Sequence, residues 1–163
     1  MTIHYRLLTP ADQSVCWEML MHAAHETNRE AVQSLPELRG YAENWGRDGD
    51  RGYGAFDDQR VVGAAWVRLW SAEHPGYGFV AEDIPELAIA VIPDCRNQGV
   101  GTQLMKILMA DLKQDFTGMS LSVRANNPVA RLYERLGFAP VPGSIVQNRT
   151  GSESYTMLIN WND

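Results

Sequence analysis

Val91-Ile92-Pro93-Asp94-Cys95-Arg96-Asn97-Gln98-Gly99-Val100-Gly101-Thr102 is the stretch on which the fold turns. The run Glu86 to Ile92 reads as a buried strand and stops at Pro93-Asp94. From Gly99 to about Gln114 the apolar residues Val100, Leu104, Ile107, Leu108 and Leu112 recur on one helical face. A strand therefore feeds a loop, and the loop opens directly into a helix. The first turn of a helix has N–H groups without intrahelical partners and lies at the positive end of the helix dipole, which suits an anion, typically a phosphate. Gly99 and Gly101 carry no Cβ, so such a group can sit on the main chain. A Walker loop would need Lys-Ser/Thr where Thr102-Gln103 stands. A dinucleotide fingerprint would need a third glycine at Leu104 and an acid ending the next strand, where Ser122-Val123-Arg124 is found. The pattern that fits is Arg-x-x-Gly-x-Gly, at Arg96, Gly99 and Gly101. A glycine turn that merely tightens the strand–helix connection is the plain alternative for so short a motif.

Working outward, Ile3 to Leu7 alternates as a half-buried strand does, and Thr9-Pro10-Ala11-Asp12 reads as the start of a helix running to about Glu26. A second helix is predicted over Leu35 to Trp45. Strands follow at Tyr53 to Phe56 and Arg60 to Trp70, joined at Asp57-Asp58; the second is apolar on both faces, as a central strand is. Ser71 to Pro85 has no clear periodicity, and a loop of that length is usually functional or mobile. Met119 to Val123 is a further strand. Pro128 to Leu136 is a short helix, with Asn127 placed to cap it and Gly137 just beyond its end. Phe138 to Gln147 and Ser154 to Trp161 make a last strand pair. This order is that of an α+β, or mixed α/β, sheet with helices on its faces.

With 163 residues, the chain has the length of one domain and can bury an independent core. Its 45% hydrophobic and 21% charged residues lie near the globular average, which argues against a disordered chain. No apolar run is long enough to cross a bilayer, and no basic segment leads into an apolar one at the start, so neither a membrane span nor a signal peptide is expected. A net charge of −6 repels phosphate backbones, and no basic patch stands out; a nucleic-acid partner is not expected. Cys16 and Cys95 do not form a disulfide framework, and a cytoplasmic location is the expectation. His22 and His25 stand at i, i+3, half of a possible metal site, but no second cluster of ligands accompanies them. No metal is expected.

Two stretches, Glu86-Leu87-Ala88-Ile89-Ala90-Val91 leading into Arg96-x-x-Gly99-x-Gly101, and Asn127-Pro128-Val129-Ala130-Arg131-Leu132-Tyr133-Glu134-Arg135-Leu136-Gly137-Phe138, resemble the GNAT superfamily of acyl-CoA-dependent N-acetyltransferases. They span residues 86–138, and the order of elements outside them also fits. The resemblance implies one N-acetyltransferase domain over residues 1–163. Its sheet would be mixed and mostly antiparallel, of about six to seven strands, splayed between the fourth and fifth, with helices on both faces. It implies acetyl-CoA as co-substrate, with the pyrophosphate on Arg96, Asn97, Gln98, Gly99, Val100, Gly101 and Thr102. The pantetheine arm would pair with the main chain of Ile89, Ala90 and Val91, opposite Leu121 to Val123, and Asn127 would hydrogen-bond to it. Asn97 departs from the glycine usual at its place, and Asn126 competes with Asn127.

The resemblance further implies Tyr133 and Glu86 as catalytic residues. An amine that attacks a thioester directly needs no enzyme nucleophile. A main-chain N–H of the Ile89–Val91 strand would polarise the carbonyl, and Tyr133 would protonate the departing thiolate. Against this, Val129, Leu132, Tyr133 and Leu136 form an apolar stripe in which a tyrosine could simply pack, and Asn127 could simply cap a helix. Glu86 would be the base, its pKa raised by burial; a solvated strand-end acid is the plain reading, and Glu82 and Asp83 are alternatives. Tyr77, Phe79 and Trp66 are candidates for an acceptor pocket, although aromatics are more often core. Cys95 reads as incidental. The expected acceptor is a small-molecule or peptide amine. A silent acyl-CoA-binding module, a nucleotide-binding module and transfer of a longer acyl group stay open, as does the oligomeric state, a homodimer included.

Overall fold

The computed structural model describes residues 2–162. Its strands are β1 (Ile3–Leu7), β2 (Arg51–Asp57), β3 (Arg60–Arg68), β4 (Glu86–Val91), β5 (Gly118–Arg124), β6 (Ala139–Pro140), β7 (Val146–Gln147) and β8 (Glu153–Asn160). Its helices are α1 (Gln13–Ala23), α2 (Arg29–Ser34), α3 (Pro36–Arg39), α4 (Val100–Leu112) and α5 (Ala130–Arg135). The chain forms two compact units. One gathers the described residues up to Arg68 with Ala88–Asp111, the other Leu69–Leu87 with the described residues from Leu112 onward. No helix among the described residues is long and apolar enough to cross a membrane.

In the first unit the hydrogen-bonded order is β1-β2-β3-β4, with β1–β2 and β2–β3 antiparallel. The apolar run in β3 is buried from Val62 to Arg68, as a central strand requires. Thr9 and Asp12 build a capping box, Thr9 N–H donating to Asp12 Oδ2 at 2.7 Å, but they open a 3-10 turn over Pro10–Asp12 and α1 begins at Gln13. The helix stops at Ala23, short of the predicted Glu26, and His25 then adopts a left-handed φ of 58°. Of the helix predicted over 35–45 only the four-residue α3 forms, and α2, which was not predicted, precedes it. Pro36 forces Leu35 into extended backbone (φ −94°, ψ 112°), which separates α2 from α3. Past α3 the carbonyls of Gly40, Glu43 and Asn44 are taken by the Arg68 guanidinium, so the chain winds around that side chain rather than continuing as a helix.

In the second unit the order is β4-β5-β8-β6, with β7 also on β8. The β4–β5 pair is parallel and its register sets Glu86 opposite Ser120; β5–β8 is antiparallel over its whole length. Alternation along β5 and β8 sorts the side chains by face. Met119, Leu121, Val123, Met157 and Ile159 lie on one side and are buried; Ser120, Ser122, Ser154 and Thr156 lie on the other. The strand predicted over Phe138 to Gln147 is broken into β6 and β7 by Pro142-Gly143, with Gly143 at φ 76°. The result is the mixed, mostly antiparallel α/β architecture expected from the sequence, carried on eight strand segments.

Candidate active site

The loop after β4 takes its shape from the first unit alone. Ile92 N–H donates to Val62 O, Pro93–Cys95 forms a 3-10 turn, and Asn97 and Gly99 then adopt left-handed φ values of 61° and 82°. Asparagine is among the few residues with a Cβ that accept this conformation, which is why Asn97 can stand where the resemblance leads one to expect glycine. Arg96 folds back, its Nε donating to Val91 O at 3.0 Å, and Gln98 Nε2 reaches Asp94 O at 3.4 Å. An exposed Arg60–Asp94 pair at 3.2 Å ties the turn to the start of β3. Cys95 is buried and packs.

The N–H of Gln103 reaches Gly99 O at 3.0 Å, so Val100, Gly101 and Thr102 have the N–H groups that precede the first helical bond of α4. Nothing lies within 4 Å of where a Gly99 Cβ would be, and a Cβ on Gly101 would meet Val91 Cγ2 at an ordinary 3.7 Å. Val91, Arg96 and Gly101 are thus brought together around one strand end. Three N–H groups without helical partners stand there at the positive pole of α4, beside a glycine with room around it, an arrangement that fits a pyrophosphate.

The other predicted residues belong to the second unit. Glu86 is 2% exposed, and its Oε2 accepts the Gly78 N–H at 3.1 Å. A Cβ on Gly76 would collide with Glu86 Oε1 and stand 2.8 Å from the Trp70 indole. Gly78 lies so close to β5 that a Cβ there would be 2.7 Å from the Leu121 carbonyl carbon and 2.8 Å from Ser122 N. The irregular segment from 71 to 85 is therefore a strap, pressed onto Glu86 at one glycine and onto β5 at the other. Of the three acids considered as base, Glu82 and Asp83 are exposed, Glu82 accepting Ala72 N–H at 2.9 Å, and Glu86 is the buried one. Tyr77 and Phe79 flank Gly78 and are half-buried. Trp66 is fully buried in the first unit with Nε1 on Tyr41 O at 2.8 Å, the core reading of that residue.

Tyr133 is 6% exposed and its ring meets Phe138 edge-on, 6.0 Å between centroids. Burial pushes the phenol pKa up to about 12, so it holds its proton at neutral pH. Asn127 Oδ1 accepts the Val129 N–H at 3.0 Å, an Asx-turn that leads into α5 and leaves the amide nitrogen as the group able to donate elsewhere. Asn126 is exposed. Among the described residues no group of three or more His, Cys, Asp or Glu is placed to hold a metal ion. Sequence reasoning missed Ser120 and Trp70. The signal for Ser120 was the serine alternation of Met119-Ser120-Leu121-Ser122-Val123; for Trp70 there was none beyond its place at the end of a predicted strand.

Solved structures share this architecture over nearly the whole chain. The ribosomal-protein-S18-alanine N-acetyltransferase of Escherichia coli superposes with a TM-score of 0.68 at 21% identity, covering 98% of this chain and 94% of that one. The yncA protein of Salmonella typhimurium, solved with its cofactor acetyl-CoA, gives 0.71 at 19% over 100% and 96%. The PaiA N-acetyltransferase of Thermoplasma acidophilum, in complex with coenzyme A, gives 0.63 at 16% over 98% and 99%. No curated protein matches by sequence. The sequence profile of the Acetyltransferase (GNAT) family matches residues 17–138, three quarters of the chain. With the strand–loop–helix and the α5 turn in place inside that match, the chain belongs to the GNAT acetyltransferase family.

Proposed function

We propose that this chain, working as one domain over residues 1–163, is an N-acetyltransferase that moves acetyl from acetyl-CoA to a primary amine by direct attack. The observation that carries the reading is the turn before α4, where Asn97 and Gly99 are left-handed and the N–H groups of Val100, Gly101 and Thr102 precede the first helical bond. The coenzyme A and acetyl-CoA held by two neighbours of the same fold support it. So does the acceptor of the Escherichia coli neighbour, an alanine of a ribosomal protein.

Bound there, acetyl-CoA supplies an activated thioester. The main chain from Gln98 to Thr102 binds its pyrophosphate, flanked by Arg96 and Asn97. Ile89, Ala90 and Val91 orient the pantetheine arm through their main chain, and one of their N–H groups polarises the carbonyl. The Asn127 amide nitrogen donates to the arm. Glu86 takes the proton of the attacking amine. Tyr133, which is protonated at neutral pH, gives its proton to the departing sulfur.

The test is calorimetric titration with acetyl-CoA, with ATP and NAD as controls, followed by a panel of small-molecule and peptide amines. Saturable acetyl-CoA binding, abolished in a folded Gly101→Glu variant, with acetylation of at least one amine, is the expected result. Absence of binding at millimolar acetyl-CoA overturns the reading.

A further inference from the structure

The start of β4 faces a hydroxyl that the fold does not use. Ser120 is fully buried, and its Oγ has no hydrogen-bond partner among the described residues. Buried hydroxyls are almost always paired, so this one calls for a partner from outside the chain. Its register partner is Glu86. Residues opposite each other in a parallel pair share a face, while Met119 and Leu121 point to the other. A hydroxyl and a carboxylate on one face of neighbouring strands are of the kind that a single water can bridge. The Gly78 N–H, the Gly76 main chain and the Trp70 indole are set against Glu86, and none of these three ionises in the working pH range.

We propose that Ser120 is a positioning residue: its hydroxyl and the Glu86 carboxylate hold one water between β5 and β4, and this water carries the amine proton to Glu86. The inference rests on the acetyltransferase reading for its chemistry. The amine nitrogen bonds to the acetyl carbonyl carbon and the C–S bond breaks. The sulfur takes the Tyr133 proton, the nitrogen loses one proton through the water to Glu86, and both side chains then re-equilibrate with solvent. A carboxylate 2% exposed cannot swing out to an amine while Gly78 holds it, and a relay removes that need.

The test does not depend on turnover. In protein labelled with 13C at glutamate carboxyls, the Glu86 signal is assigned by its loss in Glu86→Gln and titrated with pH. Ser120→Ala removes one anchor of a water that donates to the carboxylate, so the Glu86 midpoint rises by roughly half a unit or more, while Ser120→Thr, which keeps the hydroxyl, restores it. If Ser120→Ala fails to fold, Ser120→Cys carries the same test with a smaller upward shift. An unchanged midpoint in a folded variant overturns the proposal, whatever the activity. Where the unaltered chain turns over, Ser120→Ala lowers kcat by about 10- to 100-fold with acetyl-CoA KM unchanged, and moves the acid limb of the pH profile with the Glu86 midpoint. A loss confined to KM overturns it too. Failure of the unaltered chain to acetylate any amine counts against the acetyltransferase reading; the carboxyl titration still decides the pair.

Discussion

The Arg68 guanidinium and the Asp50 carboxylate meet side-on, Nε to Oδ1 at 2.9 Å and Nη2 to Oδ2 at 3.0 Å, with each side chain 1% exposed. The remaining N–H groups of Arg68 go to the carbonyls of Gly40, Glu43 and Asn44, and Asp50 Oδ2 also accepts the N–H groups of Gly46 and Arg47. One buried pair thus closes the whole winding segment from α3 to β2. Removing Arg68 leaves the Asp50 carboxylate buried with only the Arg47 guanidinium, at 3.7 Å, and two main-chain N–H groups against it. Arg68→Met is therefore expected to cost about 3–5 kcal/mol by urea unfolding. A cost below about 1 kcal/mol would show that the segment holds without the pair.

Tyr133→Phe separates chemistry from packing. The ring contact with Phe138 remains, so acetyl-CoA affinity and stability at pH 8 are expected to stay within error, while kcat falls about 100-fold. The raised pKa adds a second signature. The phenol stays protonated in the folded chain to about pH 12 and in the unfolded chain to about 10. Its contribution to stability is complete below pH 10 and is lost as pH rises toward 12, roughly 3 kcal/mol in all. Urea unfolding between pH 8 and 11 should fall more steeply for the parent chain than for Tyr133→Phe. Parallel curves would contradict the burial.

Gly101 and Gly78 are predicted to respond with opposite signs. Gly101 is in the first turn of α4 with room for a Cβ, so Gly101→Ala is expected to raise stability by about 0.5–1 kcal/mol and to weaken acetyl-CoA binding. Gly78→Ala drives a methyl into the main chain of β5 and is expected to lower stability by about 1–3 kcal/mol. Thermal melts and calorimetry on the two variants read both effects.

For Asn127 the telling change is to aspartate. Asn127→Asp keeps the oxygen that accepts the Val129 N–H and loses the NH2 donor. The melting temperature should hold while the Kd for acetyl-CoA rises about 3- to 10-fold, the worth of one hydrogen bond. A stable variant with unaltered Kd would reduce Asn127 to a turn residue.

Much of this site was legible because its elements are local. The apolar run of β4, the helical face of α4 and the residues of the α5 turn each carry their own periodicity or capping signal, so the turns that hold Arg96, Gly101 and Asn127 are readable from the sequence. Long-range demands were not legible. Nothing in residues 35–45 announces that three of their carbonyls belong to an arginine on β3, which is why one long helix was expected there. The pairing of Glu86 with Ser120 depends on strand register, and the nearness of Trp70 to Glu86 on how the strap folds over it. Neither can be read from spacing along the chain.

The alternation along β5 puts core and chemistry on the same strand, separated by parity: odd positions 119, 121 and 123 pack, even positions 120 and 122 face the side on which Glu86 stands. Inserting or deleting a single residue between Gly118 and Arg124 exchanges the two sets at a stroke, sending serines inward and a leucine or methionine toward the carboxylate. Descendants of this chain are therefore freer to change length in the β6–β8 connections. Between 118 and 124 they are held to substitution alone. Diversification toward new acceptors would be written in loop length, with β5 as the fixed frame.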